Sequence, residues 1–325
     1  MSTGTDLIII GAGPAGLTAA QYGARANLSV LVLEQLAPGG QVLLIDALEN
    51  YPGLVSGKSG YELCEILRSQ AEGFGAKFLM EEAQTLDKEG GIFTLTLANG
   101  KKLSSPAVIV ATGAKRRLLD IPGKSEFSGR GVSYCATCDG PFFKGKKIFV
   151  AGGGDAACDE AQALSRMTDQ VIMVHRRDRF RAQKALAERV LQNPNIEVRF
   201  NTVIKEIKGA KDSGGKIASV VLAKTSPDLD PAREEQLGEE SAGAVFIFVG
   251  SVPQTSFISN NLKLETDEEG YIVTDCRMVS SVPGLFAAGD VRTSSFRQIV
   301  TAAGDGAVAA HHASAYIDKL KGHEY

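Results

Sequence analysis

No stretch of this sequence is apolar for long enough to cross a membrane. The longest apolar runs, such as Ala244 to Val249, fall far short of the ~18 residues that raise a spanning helix. The opening MSTGTD leads straight into the strand-like LIII, without the basic segment and following apolar core of a secretory signal, so a soluble, cytoplasmic protein is expected. Charge of one sign is missing too. The 35 Lys and Arg against 38 Asp and Glu leave a net charge of −3, which gives no electrostatic footprint for nucleic acid or an anionic membrane surface. Cysteine is scarce and odd in number: of five, Cys64, Cys158 and Cys276 stand singly, which excludes the disulfide framework of a small secreted domain. The four histidines (His175, His311, His312, His323) lack the H-x₃₋₅-H spacing of a zinc site, and there is no second C-x-x-C, so no metal is expected.

What the chain does have is size, apolar content and glycine. Its 325 residues, 44% hydrophobic and 22% charged, are enough for two domains, and 36 glycines suit turns that approach ligands closely. The sequence also repeats itself. DLIIIGAGPAGLTAAQYGARANLSVLVLE is echoed by KKIFVAGGGDAACDEAQALSRMTDQVIMVHRR, with Gly11 matching Gly152 and Glu34 matching His175, each 141 positions apart. In each copy an apolar β-rich run feeds a glycine turn, an alanine-rich helical stretch and a second apolar run. That is a βαβ unit, and two of them predict an α/β fold with two parallel sheets covered by helices. Gly and Pro interrupt strand-like segments between Thr112 and Pro122–Gly123 and again at Gly250–Pro253, where hinges are expected. Pattern alone leaves open whether the two units lie in tandem or nested.

The two glycine turns have the spacing of dinucleotide cradles. Gly11, Gly13 and Gly16 form the first; Gly152, Gly154 and Ala157 form the second, with alanine tolerated at the last position. Glycine at the first two positions permits a tight turn and close backbone approach to a pyrophosphate, and a small third residue lets helix pack on strand. The helix N-terminus then supplies unpaired N–H groups to the phosphates. The residues after each second strand separate the cofactors. Glu34 is placed to accept hydrogen bonds from a ribose diol, as in FAD or NAD; the plain alternative is a solvated charge at a strand end. The second copy carries His175, Arg176 and Arg177, with Arg181 one turn on if that stretch is helical. Guanidinium groups there suit the 2′-phosphate of NADPH, against the alternative of a basic surface turn.

Between the cradles lies SYCATCDGPFF. Cys135 and Cys138, two residues apart, can close a reversible disulfide, and a place near a helix start would lower a thiol pKa. Half a zinc site is the competing reading. Asp139 follows immediately, placed either to pass a proton to and from a thiolate or to cap a helix.

These motifs, with PGGQ, ENYPG, ATGA, HRRDRFRA, GLFAAGD and RQIVTAAGDG, resemble along nearly the whole chain the low-molecular-weight thioredoxin reductases. Several are individually common among flavoproteins; CATCDG between two cradles with HRRxxxR after the second is specific. The resemblance implies two Rossmann-like dinucleotide-binding domains with the NADPH domain inserted into the FAD domain: FAD bound by 1–115 and 249–325, and NADPH by 116–248 together with the dithiol. It implies a homodimer whose partner is thioredoxin. It further implies that Cys138 faces the flavin, that Cys135 attacks the partner disulfide, and that Asp139 is the acid–base. Gly39, Gly40, Gln41 and Asn50 would line the flavin, Asp290 would bind the ribityl or pyrophosphate region, and Arg297 and Gln298 would sit beside the ring at a helix start. From the residues alone, the GG pair also reads as a flexible turn, Asp290 as a strand-end turn residue and Arg297 as a surface charge. The nearest rivals are a flavoprotein reductase of a peroxiredoxin system, a dithiol oxidase discharging to oxygen, and a non-enzymatic dithiol sensor.

Overall fold

The computed structural model describes residues 4–45, 48, 50–55, 57–209, 215–225 and 235–323, with the side chains of Thr137 and Cys138 outside that description. The chain divides into two compact units, one formed by 1–115 with 252–325 and the other by 116–251.

In the first unit the strands run Leu285–Ala287, Ala107–Val110, Leu7–Ile10, Val30–Glu34 and Lys77–Met80 in spatial order, all parallel. Strand Leu7–Ile10 is buried along its whole length because both faces of the sheet are covered. Alternation of side chains then splits it. Leu7 and Ile9 face a core shared with helices α1 (Pro14–Arg25), α2 (Gly60–Gly73) and the residues of Ile299–Leu320, while Ile8 and Ile10 face a three-stranded antiparallel sheet. Each of these four side chains is at most 3% exposed, and such burial contributes roughly 1.5–3 kcal/mol apiece. Helix α2 starts at a capping box: Ser59 Oγ accepts from Glu62 N at 3.2 Å, and Glu62 accepts from Ser59 N at 2.9 Å.

The second unit repeats this plan. Its parallel strands lie in the order Ile196–Phe200, Val171–His175, Ile148–Gly152, Ala244–Phe248, Val132–Ser133, with an antiparallel sheet of Thr202–Gly209, Ile217–Lys224 and Glu235–Ser241. Its helices are α3 (Ala136–Asp139), α4 (Asp155–Leu164) and α5 (Lys184–Gln192); Ile299–Leu320 of the first unit is α6. The 141-residue repeat extends into pairing and packing. Leu7 pairs Val30 as Ile148 pairs Val171, and Ile148 and Val150 face one core while Phe149 and Ala151 face the other. Each unit thus places a glycine turn at the carboxyl end of its central strand, where α/β sheets bind ligands.

Candidate functional site

The first turn shows what each glycine does. A Cβ on Gly11, whose φ is +101°, would lie 2.4 Å from Ala111 O, and one on Gly16 would lie 1.9 Å from Gly11 O. Both are required by packing. A Cβ on Gly13 would meet nothing within 4 Å, so the space above it is open to a ligand at the start of α1, whose first turn carries no acidic residue. Glu34 folds its carboxylate back on the turn, accepting from Ala12 N at 2.9 Å and Leu36 N at 3.1 Å. Gly39 N donates to Ala12 O at 2.7 Å, and both Gly39 and Gly40 have positive φ. A second glycine turn therefore stands against the first, and Gln41 Nε2 ties it to Ala114 O.

Asp290 arrives at the same sheet end after strand Leu285–Ala287. Its carboxyl has no hydrogen-bond or ion-pair partner among the described residues; burial pushes its pKa up, the charge of Arg297 pulls it back, and Asp305 adds to the rise. The preceding Gly289 is held by Asp305 of α6, whose Oδ2 accepts from Gly289 N and Arg292 Nη1, each at 3.1 Å. At the start of α6, Gln298 Oε1 accepts from Asn50 Nδ2 at 3.0 Å, and the Arg297 guanidinium lies 4.0 Å from the centroid of the Tyr271 ring. The sequence-predicted residues Gly39, Gly40, Gln41, Asn50, Asp290, Arg297 and Gln298 all belong to this unit. Asp305, Arg292 and Tyr271 were not singled out in advance. Asp305 lies inside RQIVTAAGDG, whose Ala/Gly-rich composition signals a helix but not a bond to Gly289.

In the second unit a Cβ on Gly152 would meet Phe248 O at 2.5 Å and Ala157 Cβ at 2.7 Å, whereas Gly154 again opens on space at the start of α4. The stretch carrying Arg181 is not helical, so the condition for its lying one turn on is not met. Residues 176–183 bend back instead, because Asp155 at the start of α4 takes Gln183 N at 2.7 Å and Gln183 Nε2 at 2.8 Å. Arg181 N then donates to Gly153 O at 2.7 Å, which brings Arg181 to the cradle by its backbone. Arg176, Arg177 and Arg181 are exposed, and among the described residues none of their guanidinium groups has an ion-pair partner. Their charges, after burial itself, hold the His175 pKa below its ordinary value. His175 is 7% exposed and lies directly under Gly153, where an added Cβ would sit 2.4 Å from the imidazole.

Cys135 is disulfide-bonded; the Cys138 side chain lies outside the described residues. Ser133 Oγ accepts from Cys135 N at 3.1 Å and donates to Asp139 Oδ2 at 2.6 Å. Asp139 makes no capping bond with its side chain to the following 3-10 turn, so the cap alternative is not realised there. Burial pushes the Cys64 thiol up to about 11 and the Cys158 thiol up to about 12, which leaves both inert as nucleophiles. No cluster of three or more metal-ligating side chains occurs among the described residues.

Residues 5–306 match the family model described as pyridine nucleotide-disulphide oxidoreductase. The chain is 52% identical to a thioredoxin reductase of Treponema pallidum (strain Nichols), over 99% of this chain and 100% of that protein. It is 43% identical to a thioredoxin reductase of Bacillus subtilis (strain 168), over 97% and 96% of the two chains. Among solved structures, a Lactococcus lactis thioredoxin reductase (FR conformation) superposes with a TM-score of 0.87 at 40% identity, covering 97% of this chain and 100% of that one. The T. acidophilum thioredoxin reductase superposes at 0.83 with 34% identity, covering 97% and 99%. With two Rossmann-like units, a disulfide-bonded Cys135 and relatives matched along their full length, the chain belongs to the pyridine nucleotide-disulphide oxidoreductases and, within them, to the low-molecular-weight thioredoxin reductases.

Proposed function

We propose that this enzyme is an NADPH-dependent thioredoxin-disulfide reductase in which the first unit holds FAD and the second holds NADPH and the redox dithiol Cys135–Cys138. The observation that carries the reading is the unequal chemistry of the two cradles. One ends in a carboxylate bound to its own turn, and the other in three exposed arginines with no ion-pair partner among the described residues.

The first cradle fits FAD. Open space at Gly13, the stacked turn Gly39–Gly40, and the carboxyl of Asp290, without a hydrogen-bond partner among the described residues, are features a pyrophosphate and ribityl chain would use. Gly11 and Gly16 keep the turn tight, Glu34 would take the ribose, and Gln41, Asn50, Arg297 and Gln298 would border the ring. FAD, when bound, supplies two-electron transfer between a nicotinamide and a disulfide. Gly152, Gly154 and Ala157 would seat the NADPH pyrophosphate, and Arg176, Arg177 and Arg181 its 2′-phosphate. His175 would shape that site from beneath Gly153.

Thioredoxin reduction is then thiol–disulfide exchange. The Cys135 thiolate attacks one sulfur of the partner disulfide and releases the other as a thiolate. Cys138 attacks the Cys135 sulfur of the mixed disulfide, restoring the Cys135–Cys138 bond and freeing the partner's second thiolate. Asp139 exchanges protons with these sulfurs, its carboxylate fixed by the Ser133 hydroxyl. The enzyme works as a cytoplasmic homodimer.

The test is a thioredoxin-coupled assay of flavin-loaded enzyme with NADPH and NADH in parallel. NADPH is expected to support turnover and NADH to support far less, and Cys135→Ser and Cys138→Ser are each expected to abolish it with flavin retained. Colourless protein that takes up no FAD, or a preference for NADH, overturns the assignment.

A further inference from the structure

Ala136 opens the short helical turn of the dithiol and is fully buried. A four-residue turn has no internal acceptor for its first N–H. That N–H donates instead to Glu160 Oε2 at 2.7 Å, across 24 residues of sequence. Glu160 lies in the second turn of α4, the helix that starts at Gly154 of the second cradle. Burial pushes its pKa up while the Ala136 amide, and then the charge of Arg116, pull it back, so the carboxyl is kept in a costly place.

The contact falls at a decisive bond. Cys135 N is already held by Ser133 Oγ at 3.1 Å, and Glu160 holds the very next amide. Peptide units are planar. Two consecutive planes, one on each side of the Cys135 Cα, are therefore anchored to different elements: the dithiol's own loop and the cradle helix. With both planes pinned, little more than side-chain torsion is left to place the Cys135 sulfur.

We infer that Glu160 is a positioning residue of the redox dithiol, its carboxylate carrying the backbone of Cys135 from the helix that seats the dinucleotide. The inference rests on the dithiol reading given above. Sequence reasoning missed Glu160 because nothing in GGGDAACDEA ties it to a segment 24 residues earlier.

The experiment uses flavin-loaded enzyme and steady-state kinetics with thioredoxin and NADPH varied separately. Glu160→Ala is expected to lower kcat/KM for thioredoxin by about tenfold, a modest value for a misplaced reacting group, while KM for NADPH stays within twofold. Glu160→Gln, which still accepts from the Ala136 amide, is expected to stay within threefold of wild type. A merely structural role in α4 would instead raise KM for NADPH alongside the loss. The inference is overturned if Glu160→Ala keeps thioredoxin kcat/KM within twofold, if KM for NADPH rises in step, or if Glu160→Gln falls as far as Glu160→Ala. If Glu160→Ala does not accumulate with flavin, Glu160→Asp, which withdraws the carboxylate by one methylene, is measured against the same limits. Cys135→Ser runs alongside. Turnover in that variant would sink the dithiol reading itself, whatever Glu160 does.

Discussion

Two adjacent glycines in the second cradle are expected to respond to alanine in opposite ways. Gly154 has an extended backbone (φ −101°, ψ −177°), and a Cβ there meets no protein atom within 4 Å. Alanine gains ~0.4–1 kcal/mol from a less flexible unfolded chain and loses a similar amount as a poorer helix N-cap. The net change is expected within ~0.5 kcal/mol of zero, and the melting temperature barely moves. The methyl group instead enters the space assigned to the NADPH pyrophosphate, so KM for NADPH is expected to rise by at least about tenfold, equivalent to ~1.4 kcal/mol. Gly153→Ala behaves differently. Its Cβ would lie 2.4 Å from Cε1 and Nδ1 of a histidine that is 7% exposed, with the Phe180 ring 6.1 Å away, centroid to centroid. The imidazole has to move, and overpacking of this kind costs ~1–3 kcal/mol, a drop of roughly 2–10 °C in Tm. Thermal melts and NADPH-dependent kinetics on the two purified variants decide the matter. The reasoning fails if Gly154→Ala melts as low as Gly153→Ala, or if it binds NADPH as wild type does.

Three further outcomes follow from the same geometry. Asp305→Ala leaves Gly289 N and Arg292 Nη1 without their acceptor, in an ion pair whose Arg292 and Asp305 side chains are 14% and 16% exposed; a loss of ~3 kcal/mol is expected in denaturant titration. The double variant with Arg292→Leu is expected to recover more than half of it, because no orphan charge remains. Replacing Arg176, Arg177 and Arg181 together by alanine, at ~1 kcal/mol for each exposed charge contact, is expected to cut kcat/KM for NADPH about a hundredfold while that for NADH stays within threefold; a parallel loss with both nucleotides refutes the phosphate assignment. His175 has its pKa lowered by burial and by Arg181, Arg177 and Arg176, so the unfolded chain takes up its proton first. Its stability contribution is complete above the ordinary histidine range and is lost as pH falls through the native pKa. His175→Asn is expected to flatten the melting temperature between pH 7 and 5 relative to wild type. Part of the slope remains with His312, which is also lowered.

The repeat was legible because it is written in local chemistry. Apolar β-branched runs, glycines at fixed intervals and alanine-rich helices recur at one offset, and the same offset governs strand register in the structure. The residues proposed to separate the two cofactors could be named from sequence for the same reason, since Glu34 and Arg176–Arg177 follow their strands directly. What escaped notice depends on distant segments meeting. Asp305 acts on Gly289 from the next helix, Glu160 on Ala136 from the next βαβ unit, and Tyr271 under Arg297 from a loop. Arg181 shows the limit within a motif: HRRDRFRA has helical composition, yet the Asp155–Gln183 bonds draw the segment into a bend. The antiparallel sheets carry less sequence signal because strands such as Lys102–Ser105 and Thr202–Gly209 mix polar and apolar residues and lack the continuous apolar runs of the parallel ones.

The first unit's parallel sheet takes its outermost strand from Leu285–Ala287, and Gly306 of α6 packs so tightly on α1 that a Cβ there would lie 2.1 Å from Ala15 O. During synthesis, residues 1–115 therefore emerge with one sheet edge and one face of α1 uncovered, and they wait while the contiguous segment 116–251 is made. Closure of the first unit is accordingly one of the last events on the ribosome's product. A chain cut short before α6 would leave a complete second unit attached to an apolar, unfinished half, the form that chaperones and proteases recognise first.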